Sequence, residues 1–213
     1  MQSAIRTLTA VAVLVGGGAA CQTTPSPQGA GVESNAIADL EAIRPVDIAV
    51  LPVEIAPEAA AAPAAMIRTS AARALVRRRY SPLAMDIVDE TIAMGAGRDG
   101  AAGIQEASYS AGALGEDAVL EVTVQRWDSP SWDALRSIDA VITARLIDPR
   151  DPAGAALWEA RLEREFRFSL ESGTNSSSDR DLRRACDEIL TVLISTLPGR
   201  SLENETSDGF IDS

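Results

Sequence analysis

Asp117-Ala118-Val119-Leu120-Glu121-Val122-Thr123-Val124-Gln125-Arg126-Trp127 sets Leu120, Val122 and Val124 on one side and Glu121, Thr123 and Gln125 on the other. A strand turns successive side chains to opposite faces, so this period of two reads as a half-buried β-strand. Ile138, Ala140, Ile142, Ala144 and Leu146 repeat the period. So do Trp158, Ala160, Leu162, Phe166 and Phe168, opposite Glu159, Arg161, Glu163, Glu165 and Arg167. The link Asp148-Pro149-Arg150-Asp151-Pro152 is turn chemistry. These segments predict three consecutive antiparallel strands with one wet face.

Upstream, Asp47–Val53 is a continuous apolar run that suits a strand buried on both faces, with Pro52 near its end where a missing donor is tolerable. Pro57–Arg79 is Ala-rich and helical, starting in earnest at Pro63, with Met66, Ala71, Ala74 and Leu75 able to share one face. Tyr80–Asp86 reads as a second strand, Val88–Met94 as a short helix and Ala101–Leu114 as a weakly helical stretch. After a polar loop at Gly173–Ser178, Ser178 or Asp179 caps a helix to about Leu197. Its broad apolar stripe holds Leu182, Ala185, Cys186, Ile189, Leu190, Leu193, Ile194 and Leu197. Pro198 stops it. The expected fold class is α+β: a single domain with a mixed sheet of about five strands and helices packed mainly on one face.

Composition excludes whole classes of chemistry. Of 213 residues, 19 are Arg, none is Lys and none is His. That removes Schiff-base lysines, the phosphate-loop Lys, an imidazole base, Ser–His and Cys–His relays and His metal ligands. Ser169, Ser172 and Ser195 therefore have no base, and a serine hydrolase is ruled out. The net charge of −12 argues against nucleic acid and against adsorption to an anionic membrane surface. No cofactor and no metal are expected, and the chain reads as non-enzymatic.

The amino terminus addresses the chain to the envelope. Met1–Ala20 carries one cation (Arg6), an apolar stretch from Leu8 to Val15 and then small residues, the form of a signal peptide. The apolar stretch is shorter than the roughly 20 residues that span a bilayer. Gly18-Ala19-Ala20-Cys21 resembles a bacterial lipobox, with Gly18 where Leu is usual. In such a site the Cys thiol takes a diacylglyceryl group and becomes the mature amino terminus; the other reading is an ordinary secretory signal cleaved nearby. Gln22 after the Cys, by similarity to enterobacterial sorting, favours the outer membrane. The organisation follows as signal peptide 1–20, flexible tether 21–43, folded domain 44–197 and a disordered acidic tail 198–213. Cleavage removes Arg6 and leaves a mature charge of −13, and Cys186 is then the only free thiol.

Four further features carry two readings each. Arg77-Arg78-Arg79 could hold lipid phosphates or cap the negative end of a helix dipole. Gly95-Ala96-Gly97-Arg98-Asp99-Gly100 satisfies a dinucleotide spacing but lacks the preceding strand, and reads instead as a flexible loop with a helix-terminating Gly95. Asp86, Asp89 and Glu90 could work as acid and base or bind a divalent cation, or simply favour a helix start. Trp127 and Trp132, around a turn, form either a partner-binding aromatic tip or a cover for the sheet edge.

Several segments together resemble a family. Leu114-Gly115-Glu116-Asp117-Ala118-Val119-Leu120, Val88-Asp89-Glu90-Thr91, Ala49-Val50-Leu51-Pro52 and the hairpin Ala144-Arg145-Leu146-Ile147-Asp148 … Gly154 … Leu157-Trp158-Glu159 are similar to motifs of Gram-negative outer-membrane lipoproteins of unknown function. Those proteins look like relatives of the curli-secretion lipoprotein and of the amino-terminal domain of TolB. The departures are Glu116 for Ala, a second strand without the usual Pro near Ala84, and an insertion between Asp148 and Gly154. The resemblance implies an α+β sandwich without catalytic residues, at the periplasmic face of the outer membrane. It would be an accessory or structural component of envelope assembly, secretion or transport. Expected partners are the membrane, through a lipid at Cys21, and other envelope proteins or a second copy of the chain. The alternative is a periplasmic module binding a small molecule or lipid near Gly95–Gly103.

Overall fold

The computed structural model describes residues 31–36, 40, 43, 45–99, 114–129, 132, 136–151, 154–168 and 178–200. In chain order the elements are β1 (Val32–Ala36), β2 (Asp47–Val50), β3 (Glu54–Ile55), a 3-10 turn (Pro57–Ala59), α1 (Ala64–Arg77), β4 (Ser81–Pro82), α2 (Met85–Asp99), β5 (Ala118–Asp128), β6 (Ser137–Ile147), β7 (Ala156–Arg167) and α3 (Ser178–Ile194). One mixed seven-stranded sheet runs β1-β7-β6-β5-β2-β4, with β3 also against β5. The expected class holds: α+β, a single domain, with two short strands more than expected.

The three alternating segments form the antiparallel ladder β5-β6-β7, with Val122 opposite Ala144 and Ile142 opposite Leu162. Between Val124 and Arg126 the register shifts. This bulge makes Gln125 the extra residue and swings Trp127 back to the apolar side. The apolar run before it splits, because the chain leaves β2 at Leu51-Pro52 and rejoins β5 as β3; both segments pair with β5 in parallel. β2 also pairs in parallel with β4, through the crossover carried by α1.

Side-chain alternation sorts the core onto two faces. Ile48, Val50, Leu120, Val122, Ile142, Leu146, Trp158 and Leu162 bury against Ile67, Ala71, Ala74 and Leu75 of α1 and Ala185, Ile189, Leu190 and Leu193 of α3. The opposite face holds a small cluster, Ala49, Leu51, Val119 and Ile147, under Val88 of α2. Of the described helices, α1 and α3 therefore share a face, and α2 covers only one end of the other.

Several expected boundaries move. Val32–Ala36, inside the stretch read as tether, is an edge strand: Val32 is buried, and the register runs from Val32↔Leu162 to Ala36↔Trp158. Gly31 admits the chain to it at φ +104°, where a Cβ would stand 3.1 Å from the Glu163 carbonyl oxygen. The predicted second strand, Tyr80–Asp86, shrinks to Ser81–Pro82, and α2 starts at Met85 and continues through Gly95 to Asp99. Pro198–Arg200, assigned to the tail, are bonded to the end of α1: Tyr80 Oη donates to the Pro198 carbonyl (2.6 Å) and Arg200 N to the Arg78 carbonyl (3.2 Å). Cys21, the stretch read as a signal peptide, all of the weakly helical stretch Ala101–Leu114 but Leu114, and residues 201–213 lie outside the described residues.

Candidate functional site

The part of the β5-β6-β7 ladder that no described helix covers is an ordered ionic surface, built directly by the polar half of the sequence alternation. Arg126 on β5 reaches Asp139 on β6 (3.1 Å) and Glu163 on β7 (3.6 Å), bridging three strands. Arg161 pairs with Glu163 (2.8 Å) and hydrogen-bonds Gln125; Arg145 meets Glu121 (3.4 Å). The Arg161 hydrogen bond holds the Glu163 carboxyl below its usual range, and Arg167 does the same for Glu165. Apart from the Arg145 pair, whose Glu121 is buried, these exposed pairs contribute little stability each, but they fix a pattern of donors and acceptors that a polar partner can meet. At the hairpin end, burial alone would raise the Asp148 carboxyl, but hydrogen bonds from the Arg150 side chain and backbone bring it below its ordinary value.

The two tryptophans named as a partner-binding tip are buried instead, Trp127 at 4% exposure and Trp132 at 8%. Trp132 donates through Nε1 to Ser178 Oγ (3.2 Å), meets Phe168 edge-on at 5.9 Å and lies under the Arg136 guanidinium at 5.1 Å. The bulge at Gln125 turns Trp127 inward, and the first turn of α3 packs against Trp132, so both rings lie mostly within the core. They close the end of the core.

The carboxylates at the start of α2 do not converge. Asp86 Oδ1 accepts from the adjacent Ile87 amide (3.0 Å) in the first turn of α2, where negative charge favours the helix. Asp89 pairs at 2.7 Å with Arg68, whose Nε and Nη2 also donate to the Val50 carbonyl (3.0 and 2.7 Å). That carbonyl stands one step beyond the last bond from the β4 side, Leu83 N to Ile48 O. Arg68 therefore supplies the donors the sheet lacks and ties α1 to α2 across the end of β2. The sequence held a signal for it: Arg68 lies three before Ala71 and seven before Leu75, on the apolar stripe of its own helix.

Arg77 donates to Thr191, Arg78 to the Leu197 carbonyl (2.9 Å through Nε), and Arg79 takes the left-handed conformation at φ 68°. Arg77 and Arg78 thus fasten α1 to the α3 end rather than forming one phosphate cradle. Cys186 is fully buried, as its place on the apolar stripe of the last helix predicts, and burial first, then Asp187, pushes its thiol up to about 12. Gly95 and Gly97 sit inside α2, which replaces the expected flexible loop; Gly100 and Gly103 lie outside the described residues.

Glu116, just before β5, was not singled out as a site. It is 4% exposed, and neither carboxylate oxygen has a hydrogen-bond partner among the described residues. Burial holds its pKa above the ordinary value, only partly offset by the nearby amides of Glu116 and Leu114. Among the described residues no group of three or more His, Cys, Asp or Glu is placed to hold a metal, and no helix is long and apolar enough to cross a membrane.

No protein-family model and no curated protein matches this sequence. Among solved structures, the chain is similar to a variant of the PelC dodecamer from Paraburkholderia phytofirmans, at 16% identity and TM-score 0.45, over 77% of this chain and 96% of that one. It is similar to Lipoprotein GNA1162 from Neisseria meningitidis at 20% identity and TM-score 0.42, over 68% of this chain and 96% of that one. The hypothetical protein CT253 from Chlamydia trachomatis follows at 15% identity and TM-score 0.38, over 70% of this chain and 98% of that one.

Proposed function

We propose that the chain is a non-enzymatic lipoprotein, held at Cys21 on the periplasmic face of the outer membrane, and that it serves as an accessory or structural component of envelope assembly, secretion or transport. The observation that carries this reading is Gly18-Ala19-Ala20-Cys21 directly after the apolar stretch Leu8–Val15. Acylation at a mature amino-terminal Cys with more than one chain anchors firmly, where a single chain binds only marginally. The absence of Lys and His removes the usual bases and amine nucleophiles. The Arg and carboxylate side chains of the open sheet face are paired with each other across strands, as suits a binding surface.

Metabolic labelling with palmitate, followed by envelope fractionation, tests the anchor. The wild type takes up label and pellets with outer membranes, whereas Cys21→Ala does neither. Label retained by Cys21→Ala, or an unlabelled wild type in the soluble periplasm, overturns it. The partner half is tested by crosslinking in intact envelopes: recovery of defined envelope proteins supports it, and a chain recovered with none contradicts it.

A further inference from the structure

We infer that β1 is the docking edge for a second copy of this chain, through a two-fold antiparallel β1–β1 pairing centred on Ser34. The Glu163 amide donates to the Gly31 carbonyl (3.1 Å), and Val32 faces Leu162 in the register. In an antiparallel ladder the residues bonded to the neighbour alternate. Gly31, Glu33 and Asn35 therefore turn their backbone groups to β7, and Val32, Ser34 and Ala36 turn theirs outward. Among the described residues nothing pairs with that outer side, because β1 ends the sheet.

Edge strands are ordinarily protected by Lys, Pro, bulges or extreme shortness. β1 has none of these: it is five residues long, with an unbroken register and a single charge, Glu33. The other edge, β4, is protected, being two residues of which Pro82 lacks a donor. One open edge and one blocked edge make the pairing close at two copies rather than extend into a filament.

The side chains of β1 fit a second copy. Centred on Ser34, the pairing sets Val32 opposite Ala36 and Ser34 opposite Ser34. Glu33 falls opposite Asn35, so no like charges oppose and a carboxylate meets an amide. The chain outside the structure points the same way. Only residues 22–31 separate Cys21 from β1, a reach of roughly 35–40 Å at full extension. On the anchor reading, that leash holds the edges of neighbouring copies in one shallow layer, where tethering raises their effective concentration.

The test places cysteines in the full-length chain in its native envelope, where Cys186 is buried. Opposed residues of a bonded antiparallel pair stand about 5.5 Å apart, within disulfide reach. On mild oxidation Ser34→Cys forms a disulfide-linked dimer as its major species, while Glu165→Cys, exposed on the open sheet face, stays monomeric. Ser34→Pro removes one outward donor and leaves the bonds to β7 intact; it lowers the detergent-extracted particle from two copies to one while keeping the wild-type circular dichroism. A Ser34→Cys chain that stays monomeric, that links no more than Glu165→Cys, or that links to a different protein overturns the second-copy assignment. Membrane pelleting in the same samples separates the two readings. A pelleted chain without the crosslink defeats the pairing alone, and a soluble chain with it defeats the anchor alone. A soluble chain without it defeats both.

Discussion

Leu162 and Glu163 are neighbours on β7 and live in different worlds. Leu162 is fully buried between the sheet and the α1–α3 layer; Glu163 lies exposed among Arg126 and Arg161 on the uncovered face. The same contrast recurs along the three long strands, except where α2 covers Val119 and Ile147 and where Glu121 and Val141 are buried. On one side apolar side chains lose contact with water at about 25 cal/mol per Å²; on the other, charges meet in a medium that screens them. The fold is thus secured mainly from one side, with a smaller cluster under α2 on the other, which leaves the polar part of that face and the β1 edge for solvent and partners.

The comparison can be broken most forcefully at Trp158, the largest of the fully buried side chains. Truncating an aromatic residue in a packed core costs about 3–5 kcal/mol, so Trp158→Ala should lose most of its folding cooperativity in urea. Retention of the wild-type midpoint would show that the closed face does not carry the fold. Next in size is Arg68→Met, which strips the Val50 carbonyl of its donors; a buried acceptor left without a partner costs roughly 1–3 kcal/mol, read as a lower urea midpoint.

Glu116 sharpens the contrast through pH. Its folded pKa is raised by burial, so the fold favours the protonated acid. That contribution is complete below the ordinary carboxylate pKa and is lost as pH rises through the raised folded value. Glu116→Gln should therefore melt above the wild type at neutral pH, with the gap closing as pH falls to 4. A gap that widens on acidification would contradict it. The smallest effect belongs to the open face: Arg126→Gln breaks two exposed ion pairs and should shift the melt by less than about 0.5 kcal/mol.

What the sequence discloses follows from where periodicity survives. β5, β6 and β7 are legible because ten-residue alternation has no helical reading, and α3 because its stripe is long, although the helix ends at Ile194, short of the expected stop at Pro198. β1 is hidden, since Val32 is followed by Glu33-Ser34-Asn35, which looks like the linker before it. α2 is misjudged for the opposite reason: Gly95 is read as a stop, yet the helix continues through it, at a cost of about 1 kcal/mol relative to Ala. The inward turn of Trp127 depends on a one-residue bulge at Gln125 that no composition signals. The anchor proposed at Cys21 rests on a short motif after an apolar stretch. Arg68 shows its burial on the apolar stripe of α1, but the Val50 carbonyl that it meets depends on where the β2–β4 pairing stops, a tertiary fact; Glu116 stands ahead of β5, outside the alternation.

The most direct test of the one-sided fold is a paired urea titration of Leu162→Ala and Glu163→Ala, adjacent truncations on opposite faces of one strand. Leu162→Ala is expected to lose about 2–5 kcal/mol, while Glu163→Ala keeps the wild-type midpoint. Equal losses, or a larger loss at Glu163, would contradict the claim that one face holds the fold and leaves the other free.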